Sequence, residues 1–223
     1  MQTLSEENYL KAIWKLIGVS GGTVNTNAIA ASVNTRAASV TDMLKKLSDK
    51  NLIDYVPYKG VSLTKKGKQA AMDVVRKHRL WEVFLVEKLG FGWDQVHDIA
   101  EQLEHIRSEA LIEKLDRFLG FPKTDPHGDP IPDKHGRIHE PAGTPLAGMS
   151  EQKQVIVTGV ADHSSAFLQF LDRNNIRLGT RLQVQSVTDY DRSLDISISG
   201  KKLHISHEVA RNILVKKSAA KRS

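Results

Sequence analysis

The stretch from His97 to His105 carries four side chains of the types that bind metal ions. They stand at positions i, i+4, i+7 and i+8, and because successive residues of an α-helix turn by about 100°, a helix would put all four on one face. No proline or glycine interrupts Gln95–Leu119, which predicts a helix that divides near Ser108. A solvated helix face with no binding role is the alternative for this stretch taken alone. The four residues are His97, Glu101, Glu104 and His105.

A second predicted helix offers the same chemistry. His78 and Glu82 stand at i and i+4, and helical proteins assemble metal sites from convergent His and Glu on neighbouring helices. Imidazole and carboxylate suit first-row divalent metals, and the chain has no cysteine to supply a softer thiolate ligand. The two helices therefore predict a site for a divalent cation.

The elements that precede these helices predict a DNA-binding unit. A first helix with Ser5 as its cap is followed by a short helix, a tight turn and a longer helix over Arg36–Lys50, which is the helix-turn-helix pattern. Two β-prone runs, Leu52–Val56 and Val61–Thr64, surround a turn and predict a hairpin. A helix-turn-helix followed directly by a hairpin is a winged helix.

The second helix of the pair is expected to enter the major groove of DNA, where its first residues would read base edges and nearby lysines would bind phosphates. Exposed lysines are usually only solvated, but lysines grouped on a predicted winged helix favour binding to DNA. The candidate DNA-binding residues are Asn27, Arg36, Ala37, Ser39, Thr41, Lys45, Lys46 and Lys59.

Beyond the winged helix, the sequence predicts a helical domain, a linker and a small β barrel. The apolar residues between Leu111 and Leu119 exceed what one helix pair must bury, which favours a homodimer. Six of the seven prolines lie within 121–148, as in a linker, and short β runs follow from Gln152. We predict a mainly α chain with small β: a winged helix-turn-helix domain over 1–72, a helical metal-binding and dimerisation domain with its linker over 73–148, an SH3-like β barrel over 149–217 and a disordered tail over 218–223.

Charge is distributed unevenly along the chain. The net charge is +6, and an excess of basic residues within 1–80 suits a polyanion, whereas an acidic excess within 81–145 suits a cation. The sequence contains no apolar run of membrane-spanning length and no signal peptide, so we expect a cytoplasmic protein without disulfides.

The order of these parts, with the motifs Arg76–Glu82 and Val96–His105, resembles the diphtheria-toxin-repressor family of metal-dependent transcriptional repressors, in its three-domain, manganese-regulator-like form. The resemblance implies two metal sites per subunit. One would take Glu101, Glu104 and His105 with Asn8, and in some members His78. The other takes His78, Glu82 and His97 in iron sensors, or Glu82 with a linker pair and a barrel acid in manganese sensors. The matching linker pair is Asp125 and His127, and the matching acid is Asp162.

Two positions depart from the family pattern. Iron sensors carry Cys where this chain has Glu101, and a carboxylate in place of a thiolate favours manganese as the cofactor, with ferrous iron second. Asn8 stands where the family has Asp or Met, and a neutral amide is a weak ligand. Three alternatives stay open: Asn8 coordinates poorly, Glu6 or Glu7 substitutes for it, or the site is partly open.

The resemblance implies a repressor of metal-uptake genes, which binds palindromic operators as a metal-loaded dimer and is not an enzyme. Metal that joins the first helix to the Gln95–Leu119 helix would set the spacing of the two winged helices and so shift the population towards the DNA-binding form. Two other functions are a winged-helix protein with a metallohydrolase site and a winged-helix regulator that needs no metal.

Overall fold

The computed structural model describes residues 2–56, 59–138 and 143–218, and this part of the chain is mainly helical with one large sheet. The chain divides into two compact units. The first consists of Met1–His78, Glu101–Glu113 and Pro132–Ile138, and the second of Arg79–Ala100, Lys114–Ile131 and His139–Ser223. The helices are α1 (Leu4–Ser20), α2 (Thr26–Ser32), α3 (Ala37–Asp49), α4 (Lys65–Leu89), α5 (His97–Leu103), α6 (Glu109–Phe118), α7 (Ser165–Arg173) and α8 (His207–Asn212). The strands are β1 (Ile53–Val56), β2 (Gly60–Leu63), β3 (Thr144–Pro145), β4 (Gln154–Val160), β5 (Arg181–Val187), β6 (Leu194–Ile198), β7 (Lys201–Ile205) and β8 (Ile213–Lys217).

Helix α1 begins earlier than the sequence predicts. Its cap is Thr3, whose hydroxyl accepts from the backbone N–H of Glu6 at 3.3 Å, while the Glu6 carboxylate accepts from the Thr3 N–H at 2.9 Å. This reciprocal capping box satisfies two backbone donors. Ser5 offers no such pair and lies inside the helix, so its prediction as the cap is wrong.

The winged helix-turn-helix is confirmed. Helices α2 and α3 pack together, and β1 pairs with β2 as an antiparallel hairpin in which Ile53 stands opposite Leu63. An isolated bridge joins Val24 to Val61 and ties the hairpin to the start of α2. Apolar side chains from α1, α2, α3 and the hairpin form the core of this unit: Leu10, Ile13, Ile29, Val40, Leu44, Leu47, Leu52 and Val61 are all at most 4% exposed.

The helix predicted over Gln95–Leu119 divides before Ser108, as expected, but the break is wider than the sequence predicts. Helix α5 ends at Leu103, Glu104 and His105 lie in a turn, and α6 begins only at Glu109. Ser108 starts the new helix, since its hydroxyl accepts from the Leu111 N–H at 3.3 Å. The four metal-type side chains therefore do not share one helical face.

The second unit contains the predicted C-terminal β domain, which is a six-stranded antiparallel sheet in the order β3-β8-β4-β5-β6-β7. Within the described residues no ladder joins β3 to β7, so the sheet is not closed into the expected barrel. Strand β3 is only two residues long and includes Pro145, which has no N–H to donate. Helices α7 and α8 contribute to the buried core of the sheet through Phe167, Leu168, Leu171 and Ala210.

The proline-rich segment before the sheet is irregular but ordered by backbone contacts with β4. The carbonyl oxygen of His127 accepts from the Val160 N–H at 2.9 Å. The next residue, Gly128, has φ +91°, and a Cβ there would lie 2.2 Å from the Thr158 carbonyl oxygen. Only glycine combines a positive φ with the absence of a Cβ, so Gly128 allows the backbone beside His127 to lie close to β4. Of the tail predicted to be disordered over 218–223, residues 219–223 lie outside the described residues, whereas the Ser218 N–H donates to the Gln154 carbonyl oxygen at 3.0 Å. No described helix is long and apolar enough to span a membrane.

Candidate metal centre

Three side chains in the second unit form a buried cluster, here called the carboxylate–histidine cluster. They are Glu82 from α4 and Asp125 and His127 from the proline-rich segment, each at most 3% exposed. Each offers a ligand atom within 4.8 Å of the other two. Burial of two carboxylates beside an imidazole is costly without a compensating cation, and this donor set suits a divalent first-row metal.

The His127 ring is oriented with one nitrogen towards the cluster. Its Nε2 lies 2.9 Å from the carbonyl oxygen of Trp93, to which it donates. A neutral ring that donates through Nε2 keeps a lone pair on Nδ1, and this atom lies 3.7 Å from the Glu82 carboxylate. Within the described residues, the buried Nδ1 has no hydrogen-bond partner. Such an orientation by a second hydrogen bond is typical of metal-binding histidines, so the residues fit a metal ion.

Asp125 is fixed by backbone and guanidinium contacts. Its Oδ1 accepts from the N–H groups of His127 at 2.8 Å and Asp129 at 3.0 Å, and its Oδ2 lies 3.5 Å from Nε of Arg79. Burial and the nearby charge of Glu82 raise the pKa of Asp125 to about 7. Burial lowers the pKa of His127, but the adjacent Glu82 carboxylate outweighs it and raises that pKa to about 9. Without metal the cluster therefore retains protons, which a bound cation would displace.

Of two other predicted ligands, His97 lies at the edge of this cluster and Asp162 follows β4. His97, at the start of α5, has its Nδ1 3.5 Å from the Glu82 carboxylate and a side chain that is 34% exposed. Asp162 is half-buried, and its carboxylate accepts from the Ser164 N–H at 2.8 Å. The neighbouring His163, rather than Asp162, contacts the cluster, since its ring stacks on His127 with centroids 4.6 Å apart.

The other predicted metal ligands lie in the first unit, where a lysine is at their centre. Lys11 of α1 is buried, and its Nζ lies 2.6 and 2.8 Å from the two oxygens of Glu104 and 3.1 Å from Glu101. His78 contacts the same Glu104 carboxylate through Nδ1 at 2.6 Å. Burial raises the pKa of Glu104, but the His78 hydrogen bond and the Lys11 charge outweigh it and hold this pKa below its usual value. These four residues are called the lysine cluster.

His105 contacts Glu7, the residue that precedes Asn8. Asn8 is exposed, whereas the buried Glu7 accepts from Nδ1 of His105 at 2.6 Å. Glu6, the other substitute considered for Asn8, instead binds Nζ of Lys50 at 2.6 Å. The contact places the Glu7 carboxylate beside His105, and the alternatives for Asn8 stay predictions.

The predicted DNA-binding residues lie around α2, α3 and the hairpin. All are exposed except Thr41, which is half-buried and whose hydroxyl donates to the Ala37 carbonyl oxygen at 3.1 Å. Arg36 stands at the N-cap position of α3, where its exposed side chain makes no capping hydrogen bond to the helix.

Sequence reasoning missed Lys11, His163 and the Trp93 carbonyl. Lys11 is separated from Glu104 by 93 positions, and nothing in the local pattern of α1 indicates a buried charge. His163 directly follows the predicted Asp162, so its neighbourhood was found although its own contact was not.

Three family models match this chain in succession. They are described as the iron dependent repressor N-terminal DNA binding domain over residues 1–61, the iron dependent repressor metal binding and dimerisation domain over 64–133, and the FeoA domain over 144–217. The chain belongs to the iron-dependent repressor family. This family includes the diphtheria toxin repressor that the motifs resemble.

Relatives and solved structures agree with this membership. The regulator MntR of Oceanobacillus iheyensis is 35% identical over 56% of this chain and 84% of its own. The iron-dependent repressor IdeR of Mycobacterium tuberculosis is 28% identical over 95% of this chain and 96% of its own. A solved manganese-dependent transcriptional repressor in complex with manganese has a TM-score of 0.87 and 33% identity, covering 96% of this chain and all of that one. By their names, IdeR is an iron-dependent repressor, the solved structure is a manganese-dependent transcriptional repressor, and MntR is a transcriptional regulator.

Proposed function

We propose that this chain is a transcriptional repressor whose affinity for DNA depends on a divalent ion bound by Glu82, Asp125 and His127. The observation that carries the proposal is the orientation of His127, whose Nε2 donates to Trp93 while its buried Nδ1 faces a carboxylate. This geometry occurs in the same chain as a winged helix whose α3 exposes Lys45 and Lys46. The same chain therefore contains both a candidate metal site and a winged helix.

Manganese is the proposed ion, with ferrous iron as the second candidate. Two carboxylates and one imidazole form a hard donor set, and the chain has no thiolate to favour a softer metal. His97 at the rim is the proposed further ligand or support, and the first coordination sphere would be completed by water. When bound, the ion supplies positive charge that compensates the two buried carboxylates and ties the proline-rich segment to α4.

The proposed partner is an operator of palindromic form, bound by a homodimer. A two-fold dimer presents two winged helices to successive major grooves, and metal-uptake genes are the proposed targets because their repression would limit the metal that the protein senses. Such a regulator would act in the cytoplasm, where its DNA is.

An enzymatic role is the rival proposal, and the burial of the carboxylate–histidine cluster argues against it. All three of its side chains are at most 3% exposed, which leaves little room for a substrate beside the ion. A manganese-loaded sample that hydrolyses simple phosphate esters, with the activity lost in His127→Ala, would favour the hydrolase instead.

The direct test is DNA affinity with and without manganese. A DNA fragment selected from a random library by the manganese-loaded protein would be titrated in fluorescence anisotropy. We expect manganese to strengthen binding by at least about 10-fold, on the scale of typical allosteric couplings, and His127→Ala to remove this gain.

The matched control is His135→Ala, which removes an exposed histidine of the same proline-rich segment and should leave the manganese response intact. Equal affinity with and without metal in the wild-type protein would support the metal-independent regulator and contradict the proposal.

A further inference from the structure

The lysine cluster has metal-type donors, yet an ammonium group occupies its centre. Lys11 is only 6% exposed, and its Nζ contacts three carboxylate oxygens, two from Glu104 and one from Glu101. A lysine ammonium has three N–H donors, so each of them has an acceptor here. Glu104 is fully buried and requires a compensating positive charge, which Lys11 already provides.

The distances identify this arrangement as an ammonium site rather than a metal site. Nζ lies 2.6 to 3.1 Å from the oxygens, which is the range of charge-assisted N–H···O bonds. A divalent first-row ion would need the same oxygens at about 2.0–2.2 Å. The ion and the ammonium would compete for the same atoms and would repel each other at this separation.

The remaining donors of the region are also committed. His78 contacts Glu104 at 2.6 Å, and His105 contacts Glu7 at 2.6 Å. Among the residues that the structure describes, the ligand atoms of Glu101, Glu104 and His105 do not come within 4.8 Å of one another as a set. The first-helix site that the family resemblance implies therefore does not fit a metal in this chain.

We propose that Lys11 is a built-in cation that takes the place of a metal ion in the lysine cluster. The contact of α1 with Glu101 and Glu104 is then permanent, because the positive charge is covalently attached and cannot dissociate. The protein binds a single divalent ion per protomer, at the carboxylate–histidine cluster, a conclusion that rests on the proposed function. Any effect of metal on DNA binding then begins at the carboxylate–histidine cluster, and the contact of α1 with Glu101 and Glu104 does not depend on metal.

The stoichiometry of manganese binding tests this proposal. Full-length protein would be titrated calorimetrically with manganese, and its metal content would be measured after dialysis. We expect a single ion per protomer in the wild-type protein and none in His127→Ala. Lys11→Gln removes the ammonium and leaves its carboxylates, so it should gain an ion, which doubles the wild-type value.

The matched control is Lys50→Gln. This variant breaks the ion pair between Lys50 and Glu6 of α1 and leaves Glu104 unchanged. It should keep the wild-type stoichiometry. Because Lys11→Gln leaves a buried carboxylate without its partner and could unfold the protein, the double variant Lys11→Met with Glu104→Gln provides a second measurement. It removes both charges together and should keep the single ion.

Two results would overturn the proposal: two ions bound by the wild-type protein with one retained in His127→Ala, or an ion lost in the Lys11→Met, Glu104→Gln double variant. An unchanged stoichiometry in folded Lys11→Gln would also count against it. Failure of the proposed function would give a different set of manganese stoichiometries. In that case the wild-type protein would bind no ion, while Lys11→Gln would still gain one.

Discussion

Individual charged residues form two clusters in this chain, and the clusters differ in the source of their cation. In the carboxylate–histidine cluster, His127 and two buried carboxylates have a donor set that suits an external cation, whereas in the lysine cluster the cation is part of the chain. The difference follows from one side chain of α1. Lys11 places an ammonium group 2.6 Å from the Glu104 carboxylate.

Arg79 is the residue that most directly supports Asp125. It is buried, its Nε lies 3.5 Å from Asp125, and its two terminal nitrogens bind Asp129 at 2.7 Å and the Pro130 carbonyl oxygen at 2.5 Å. A lysine cannot reproduce this fork of donors. We predict that Arg79→Lys weakens manganese binding by about 10–100-fold, as loss of supporting contacts does in other metal sites, as measured by calorimetry.

The control for this change is Arg137→Lys. Arg137 is an exposed arginine of the proline-rich segment and pairs with Asp133, so this variant should bind manganese as the wild-type protein does. An equal loss in both variants would mean that Arg79 has no special role.

Substitutions at α3 and at the hairpin should distinguish contacts to DNA bases from contacts to DNA phosphates. We predict that Arg36→Ala weakens binding to the selected DNA by about 1–3 kcal/mol and relaxes its sequence preference, as loss of a base contact does. Lys59→Ala should weaken binding to all sequences and reduce the salt slope by about 1.

Anisotropy titrations over a series of salt concentrations would measure both effects. Lys202→Ala, which removes an exposed lysine of β7, is the control that should change neither quantity. If Arg36→Ala instead weakens binding equally to all DNA sequences, the Arg36 guanidinium contacts a phosphate and not a base.

Secondary-structure elements were predictable where local signals agree. The helix-turn-helix and hairpin follow from caps, turns and β-prone runs, and Asn25 does cap α2 through a 2.8 Å bond to the Ala28 N–H. The end of α5 at Leu103 was not predictable in the same way. No proline or glycine marks it, and Glu104 instead meets Lys11 and His78 from distant positions in the sequence. Long-range pairing of this kind overrides helix propensity and leaves no periodic signal.

The candidate metal centre was predictable only in part, for the same reason. Glu82 stands out by its spacing from His78, but Asp125 and His127 lie in an irregular segment whose histidines have no periodicity to mark them. They were predicted through the family resemblance, and the structure brings them to Glu82 through the contacts of this segment with β4.

Gly128 is the point at which that segment meets β4. We predict that Gly128→Ala destabilises the fold by about 1–3 kcal/mol, because it adds backbone strain at φ +91° and a Cβ that would lie 2.2 Å from the Thr158 carbonyl oxygen. Chemical denaturation would measure this loss, and manganese affinity should fall with it.

Gly179→Ala is the matched control for strain without a clash. Gly179 has φ +84°, and a Cβ there would meet nothing within 4 Å. Its stability should fall by less, and its manganese affinity should not change. Equal effects of the two substitutions would show that the close approach of Gly128 to β4 is unimportant.

The whole molecule is proposed to work as a dimer, and exposed apolar side chains of the second unit are the candidates for its interface. Phe118 is 65% exposed, Leu89 is 57% exposed and Phe121 is 54% exposed. We predict that Phe118→Ser weakens dimerisation by about 10-fold or more, as loss of a buried aromatic anchor does at other interfaces, as measured by analytical ultracentrifugation.

Tyr190→Ser serves as the control, since it removes another exposed aromatic side chain, from the turn between β5 and β6, outside the proposed interface. The Phe118 variant should also bind DNA more weakly, because a monomer engages only one half-site. A fully dimeric Phe118→Ser protein would place the interface elsewhere.

Anomalous scattering at the manganese edge, from crystals grown with manganese, would locate the bound ion. We expect an anomalous peak within about 2.0–2.3 Å of the Glu82 and Asp125 oxygens and the Nδ1 atom of His127, and none beside Lys11. A peak among Glu101, Glu104 and His105 with the Lys11 side chain displaced, or an empty carboxylate–histidine cluster, would contradict this expectation.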